Sequence, residues 1–504
     1  MASAKERYEE LSVHREQFLQ RARHNAMLTI PSLMPLAGHD GKAHLIEPYQ
    51  SLGALGVVSM SSRVTMALIP AGRPHLRLGI PPQKLMELQG EIPPEVNQEL
   101  SKSESLVSNA VERANWRTST LQIIQQLMVA GSCTVEVRPD QSLRTHRLDN
   151  FVWRRDARGV VLECIIQEHW DPDNLPAGVE APAQTTAGSI GRSTDDDIIV
   201  FTVITYSNDG TYTVKRETES GTKVGEPVEY EKRLVPYLFL RWSITPAEDY
   251  GRSKVEEVVG DLRSYDSLSK QSLEQGAMGA MNFLMVRPGA TANGLRNRLT
   301  RMNNGDVVVG DPDSVDVKQF ANGPGFQITE ALLSKLEERL SRAFLLLSTQ
   351  QRNAERVTAT EIERDIQELE STLGGTFSGL SLEFLEKATF LLIEDMKVKG
   401  EFPDVEEDDL QTTILTGLEA LSRERDVGRG VQAAQIVSQF GEEGLRRLKM
   451  GVVLDKILVG LGFPDAIRSE EEVQQEKQQE QQAAMAQAAA GPAVNAMAKQ
   501  GGGP

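Results

Sequence analysis

Apolar side chains recur at helical spacing on both sides of a polar stretch near residue 350. Leu332, Leu336, Leu340, Ala343 and Leu347 step by four and three residues, which sets them along one face of a helix. A second stripe begins at Ile362 and continues through Ile366, Leu369 and Leu373, then past two glycines to Phe377, Leu380 and Phe384. Between Gly325 and Gly374 lie 48 residues without a Gly or Pro. The intervening STQQRNAERV has no apolar stripe, and Thr358 with Glu361 has the spacing of a capping box that restarts a helix. The pattern predicts two long amphipathic helices holding a polar, solvent-facing loop. Such a loop is odd in a compact enzyme and sensible where it must face a channel.

The same reading predicts an amphipathic helix over residues 3 to 26, with Tyr8, Leu11, Phe18, Ala22 and Ala26 inward and Ser3 and Glu6 at capping-box spacing. Pro31 and Pro35 end it, and a helix-and-loop region follows to about Arg117, punctuated by Pro70, Pro74, Pro81 and Pro82. From about 121 to 242 the pattern turns to strands: CTVEVR at 133–138, VVLECIIQE at 160–168, IIVFTVITY at 198–206 and LVPYLFLRW at 234–242. Residues 171–197 read as a polar loop. Ser253 and Glu256 cap a further helix that runs to Pro288, with Gly276, Ala277, Gly279 and Ala280 making its far end slim. Those small residues suit either a contact within the chain or one between subunits.

Residues 284–325 form a short insert with strand signals at 306–310 and 315–320. Its first half carries Arg287, Arg296, Arg298 and Arg301 and no acid, and its second half carries Asp306, Asp311, Asp313 and Asp316. Complementary halves suit head-to-tail pairing of identical neighbours; an ordinary solvated surface explains them equally. An acidic run at 405–409 precedes a helical stretch at 414–463, and the chain ends in a Gln/Ala-rich, glycine-terminated segment.

Composition narrows the function. With 504 residues, two or more structural regions are expected. Lys plus Arg number 54 against 72 Asp plus Glu, a net charge of −18. That makes a poor general nucleic-acid clamp, since phosphate binding draws on basic side chains. That objection weakens where DNA must pass without sticking, since a negative wall repels phosphates and keeps the duplex mobile. Cys133 and Cys164 both fall in strand-like stretches and read as free thiols of a reducing compartment. The charged N-terminus lacks a signal-peptide core, and no apolar run approaches the ~20 residues of a membrane helix. A soluble protein made in cytoplasm, with no membrane partner, is expected.

Catalytic chemistry finds no foothold. All seven histidines precede Trp170, and neither His nor Cys follows it. His39 and His44 lack a second pair to complete a zinc site, no GxxxxGK[ST] loop occurs, and the acidic run at 195–197 lacks the spacing of a calcium loop. No catalytic residue, metal or cofactor is assigned.

RNAERVTATEI followed by QELESTLGG resembles the corresponding stretch of the portal (head-to-tail connector) proteins of T7-like short-tailed phages. Collinear pieces accompany it: YEEL at 8–11, FLQRAR at 18–23, LTIPSL at 28–33, PYQSLGALGV at 48–57, EDYGRSKVEE at 248–257 and TGLEAL at 416–421. The resemblance spans roughly residues 5 to 425. It implies an α+β, mainly helical portal fold assembled as a ring of twelve copies around an axial channel. Double-stranded DNA would be packaged through it by a separate terminase large subunit, and later ejected. Major capsid and scaffolding proteins, tail adaptor and internal core proteins would be its other partners, and the virion's portal vertex its location. By the same resemblance, residues 1–250 are the wing, 251–283 the first stem helix, 284–325 the clip, 326–347 the second stem helix and 348–357 the tunnel loop. Residues 358–400 are then a kinked wing helix, 401–470 a helical crown and 471–504 a low-complexity tail.

Within that scheme Gln350, Gln351, Arg352, Asn353 and Arg356 would face DNA. Pairing of Arg352 and Arg356 with Glu355 or Glu361, merely ordering the loop, is an equal alternative. Arg296, Arg298, Arg301, Asp311 and Asp313 are the expected clip contacts. Gly374 and Gly375 either bend the helix they interrupt or meet a packing need for small residues. Two other functions compete: a non-conducting scaffold or helical adaptor, which leaves the collinear matches unexplained, and a phage nucleic-acid enzyme, which lacks a catalytic set.

Overall fold

The computed structural model describes residues 3–36, 44–70, 76–79, 94–170, 198–207, 209–279, 282–286, 315–319, 324–346, 373–402 and 411–413. Its helices are α1 (Ala4–Met27), α2 (Leu52–Leu68), α3 (Pro94–Arg113), α4 (Trp116–Ala130), α5 (Val259–Gly279), α6 (Pro324–Ala343), α7 (Gly375–Leu380) and α8 (Lys387–Val398). The strands are β1 (Arg77–Gly79), β2 (Ser132–Val137), β3 (Leu143–His146), β4 (Phe151–Arg155), β5 (Val161–Trp170) and β6 (Ile198–Tyr206), then β7 (Thr211–Thr218), β8 (Lys223–Glu231), β9 (Tyr237–Arg241), β10 (Asn282–Val286), β11 (Val315–Gln319) and β12 (Gln411–Thr413). The fold is α+β and mainly helical. No described helix is long and apolar enough to cross a membrane. The chain divides into two units: Met1–Val64, Ser119–Glu136 and Thr145–Arg356 in the first, and Thr65–Thr118, Val137–Arg144 and Val357–Pro504 in the second.

The first unit is organised by an antiparallel meander in the order β4-β5-β6-β7-β8, and by a smaller sheet in the order β3-β2-β9. Side chains alternate faces along a strand, and β4 uses both. Val152 joins Ile165, Phe201 and Val203 in a cluster with Ala4, Tyr8 and Leu11 of α1. The next residue, Trp153, stacks on Phe151 and Tyr250 and meets Phe239 of β9 edge-on at 6.0 Å, while its indole N–H donates to Thr134 Oγ1 of β2. Helix α1 opens on the expected Ser3/Glu6 capping box. Its buried face runs Tyr8, Leu11, Arg15, Leu19, Ala22 and Ala26, so Leu19 replaces Phe18, which lies half-buried with its ring 5.0 Å from Tyr250. Cys133 and Cys164 are free and buried.

Sequence periodicity misses β3, β4, β7 and β8. The last two are polar, and β8 is an exposed edge strand containing Pro227, a position sheets tolerate only where no ladder bond is needed. A second difference lies after α5. The apolar run Asn282–Val286, read as the end of a helix, is a strand paired antiparallel with β11, Asn282 opposite Gln319 and Val286 opposite Val315. A short apolar run does not by itself separate strand from helix; a partner strand decides it here.

In the second unit α8 packs against α3, and Arg113 lies 3.6 Å from Glu401. Trp116 donates its indole N–H to the Gln141 carbonyl, and Gln141 donates to Asp395 of α8. Phe377, Leu380, Phe384, Leu391, Leu392 and Met396 form a buried face from α7 to α8, through a π-helical turn at Ser381–Glu386. Residues 411–413, expected in a helical region, instead pair as β12 with β1.

Candidate functional site

The residues expected to face DNA (Gln350, Gln351, Arg352, Asn353, Arg356) and the expected clip contacts (Arg296, Arg298, Arg301, Asp311, Asp313) lie outside the described residues. What the structure describes is the frame that carries them: α5 leading to β10, and β11 followed by α6.

The entrance to this frame is the EDYGRSKVEE stretch, and each of its polar residues has an assignment. Ser253 Oγ accepts the Glu256 N–H at 3.0 Å, capping the 3-10 turn Val255–Val258 from which α5 grows. Asn25 of α1 donates to the same hydroxyl at 2.9 Å and to the Val129 carbonyl at 3.1 Å, so α1, α4 and the start of α5 meet at one buried amide. Arg252 pairs with both Glu248 and Glu256. Its hydrogen bond holds the Glu248 carboxyl below the usual carboxylate range. Tyr250 accepts the Trp153 N–H at 2.8 Å, and Asp249 accepts that of Arg155 at 2.8 Å. These two side chains satisfy the outward backbone donors of the edge strand β4. Burial pushes the Tyr250 phenol up.

Gly251 is required by a close approach. A Cβ there would stand 2.5 Å from the carbonyl oxygen of Gly131, which itself has φ +81°. That carbonyl accepts the Trp242 N–H, and the Gly251 N–H donates to Ser132 Oγ at 2.8 Å. The first long helix of the frame is thus rooted in the β-rich part of its own unit.

Helix α6 returns alongside α5. Arg339 reaches Asp261 at 2.8 Å, an exposed pair worth about 0–1 kcal/mol. Leu340 is buried, Leu336 half-buried, and Leu332 and Ile328 exposed, so the predicted apolar stripe is covered only at its C-terminal end. There the helix stops in a Schellman arrangement: Leu346 N–H donates to Ser341 O and Leu345 N–H to Arg342 O, with Leu345 at φ +57°. A leucine in that left-handed position is unusual; burial of its side chain offsets the backbone cost. Phe344, wholly buried, lies against Gly56 of α2. The chain leaves the described part of the unit immediately after this anchor.

It re-enters at Leu373 in the second unit. Gly374 has φ +40° and ψ −112°, a conformation closed to residues with a Cβ, and stands at the N-cap of α7. A Cβ on Gly375 would meet nothing within 4 Å. Among the described residues, no group of His, Cys, Asp and Glu has the arrangement of a metal site. Sequence reasoning missed the buried polar anchors Arg15 and Asn25 and the contact of Gly56 with Phe344. Only the short collinear stretches containing Gly56 and Ser253 hinted at them.

A family model described as bacteriophage head to tail connecting protein matches residues 1–468. The chain belongs to this family. The portal protein of Escherichia phage T7 is 30% identical over 483 residues, covering 94% of this chain and 89% of its own length. That of Enterobacteria phage T3 is 30% identical over 433 residues, covering 84% and 80%. The portal protein of Enterobacteria phage SP6 is 24% identical over 93% of this chain and 90% of its own. Among solved structures, a chain in the neck of an empty GTA particle, computed with C6 symmetry, covers 75% of this chain and 86% of its own at 15% identity and a TM-score of 0.38. The protein is therefore a portal of the phage head–tail connection, a structural component of the virion without enzymatic activity. Membership of the portal family implies an oligomeric ring at the phage neck.

Proposed function

We propose that the protein forms a twelvefold ring at one capsid vertex, with an axial channel through which double-stranded DNA is packaged and later ejected. In this reading α5 and α6 are the stem, residues 284–325 the clip, 348–357 the tunnel loop, and the β-rich part of the first unit the wing. The segment 358–400 is then a wing helix bent at the Gly374–Gly375 pair, with the crown and tail beyond it. The terminase large subunit supplies ATP hydrolysis from outside and docks on the clip, which tail adaptor proteins later occupy. Major capsid, scaffolding and internal core proteins are its further partners.

The observation that carries this reading is the anchoring of the two-helix frame. One helix starts from a fully bonded joint at Ser253 and the other ends on Phe344 against Gly56. Leu273, Ile328 and Leu332 on the frame are exposed, as neighbouring copies in a ring would require. The net charge of −18 per copy suits a passage that does not hold DNA.

Arginines 352 and 356 give the loop reversible phosphate contacts that steady DNA and retain it after filling. Replacing both by Ala should leave rings intact and lower full-length packaging or genome retention in an infection assay. Normal packaging and retention with intact rings would remove the DNA-steadying role.

A further inference from the structure

Helix α2 carries apolar side chains on its exposed side as well as its buried one. From Pro48 to Ser62 the chain carries no charged residue, and the first charge reached is Arg63. A helix of that kind belongs in a core or under a partner. One side is buried as expected: Val57, Met60 and Val64 are fully enclosed, and Gly56 receives Phe344. The opposite side is not. Leu55 is 56% exposed and Val58 46%, with Ser59 and Ser62 continuing the same face at steps of one and three residues. Just before the helix, Leu36, Ile46 and Tyr49 are each about half exposed, and Leu36 and Ile46 line a shallow apolar pocket with Met27, Met34 and Leu45.

We propose that this face of α2, centred on Leu55 and Val58, is a docking surface for a second copy of this chain. The inference rests on the ring reading above and adds the surface through which neighbours meet. Charge selects the occupant. Each copy carries −18, so identical chains repel at close range except through surfaces free of acids or paired with bases. The stretch 48–62 contains neither sign, and a face on which Leu55 and Val58 stand beside the uncharged Ser59 and Ser62 fits a permanent contact between copies, whose interfaces are more apolar and poorer in charge than transient ones. Because a ring is built from heterologous contacts, Leu55 of one copy meets a different surface of the next, not its own equivalent.

Two measurements on the purified full-length chain test this. Leu55→Asp combined with Val58→Asp alters two exposed side chains, so the far-ultraviolet circular dichroism spectrum should stay as in the parent, while sedimentation velocity shows the ring replaced by small species. Val13→Asp, at another exposed apolar site, serves as control and should keep the ring. Separately, a photo-crosslinking amino acid at position 55 should yield a ladder of covalent multimers on denaturing gels. Rings that persist in the double variant, or that form normally and give no ladder from position 55, overturn the proposal and leave the ring reading standing. A parent chain that never forms rings would instead sink the ring reading itself.

Discussion

The Phe344 ring occupies the space that a side chain at Gly56 would need: a Cβ there would come within 2.5 Å of the ring carbon Cγ. This contact fastens the end of α6 to α2, two elements almost three hundred residues apart in the chain. Both partners are constrained. Gly56→Ala should destabilise the first unit by about 1–3 kcal/mol through overpacking. Phe344→Ala should cost about 3–5 kcal/mol through the cavity it leaves. Urea unfolding followed by tryptophan fluorescence measures both, and a neutral Gly56→Ala would mean the ring can shift aside.

Tyr250 offers a cleaner deletion. Tyr250→Phe keeps the ring stacked parallel to Trp153 at 5.6 Å and removes only the acceptor for the Trp153 N–H. A buried donor left unpaired costs about 1–3 kcal/mol. Amide hydrogen exchange along β4 should quicken in the variant. Unchanged exchange there would show that the phenol does not protect this edge.

The glycine pair at the start of α7 gives opposite signs. Gly374→Ala forces a Cβ into φ +40° and should destabilise the second unit. Gly375→Ala has open space and an ordinary helical backbone, and should stabilise by about 0.4–1 kcal/mol. Thermal unfolding of the two variants compares them directly. Equal effects would remove the distinction between a conformational glycine and a permissive one.

A pH dependence follows from Glu248. The hydrogen bond from Arg252 depresses its folded-state pKa, so the unfolded chain binds the proton more readily. Its contribution is therefore complete above the ordinary carboxylate range, about pH 4.3, and is lost as pH falls through the lower folded value. Glu248→Gln should lower the unfolding temperature at pH 7, and the difference from the parent should shrink below pH 4. A constant difference across that range would place the effect in packing rather than in charge.

Legibility in the sequence followed the physics of each feature. Periodicity located α1, the capping box at Ser3, the capping hydroxyl of Ser253, and β6 from Ile198 to Tyr206, because these depend on neighbours along the chain. It lost β7 and β8, whose polar strands are held by the ladder from β6, and it read Asn282–Val286 as helix because its partner lies beyond Val315. The anchors that hold the candidate site in place are tertiary. Asn25 reaches Ser253 across 228 residues, and Gly56 acquires its role only when Phe344 arrives. Stripe counting favours Phe18 over Leu19 on α1; rotation of the helix on the sheet reverses them. The family, by contrast, was legible from short collinear pieces such as EDYGRSKVEE, whose side chains prove to be the joint from which α5 starts.

Electron microscopy with end-on averaging of the purified particle tests the central claim most directly. The account predicts closed rings of twelve copies with a central hole, and at high resolution Arg352 and Arg356 turned toward that hole. Monomers, open filaments, or those arginines enclosed within a dry subunit interior would contradict it.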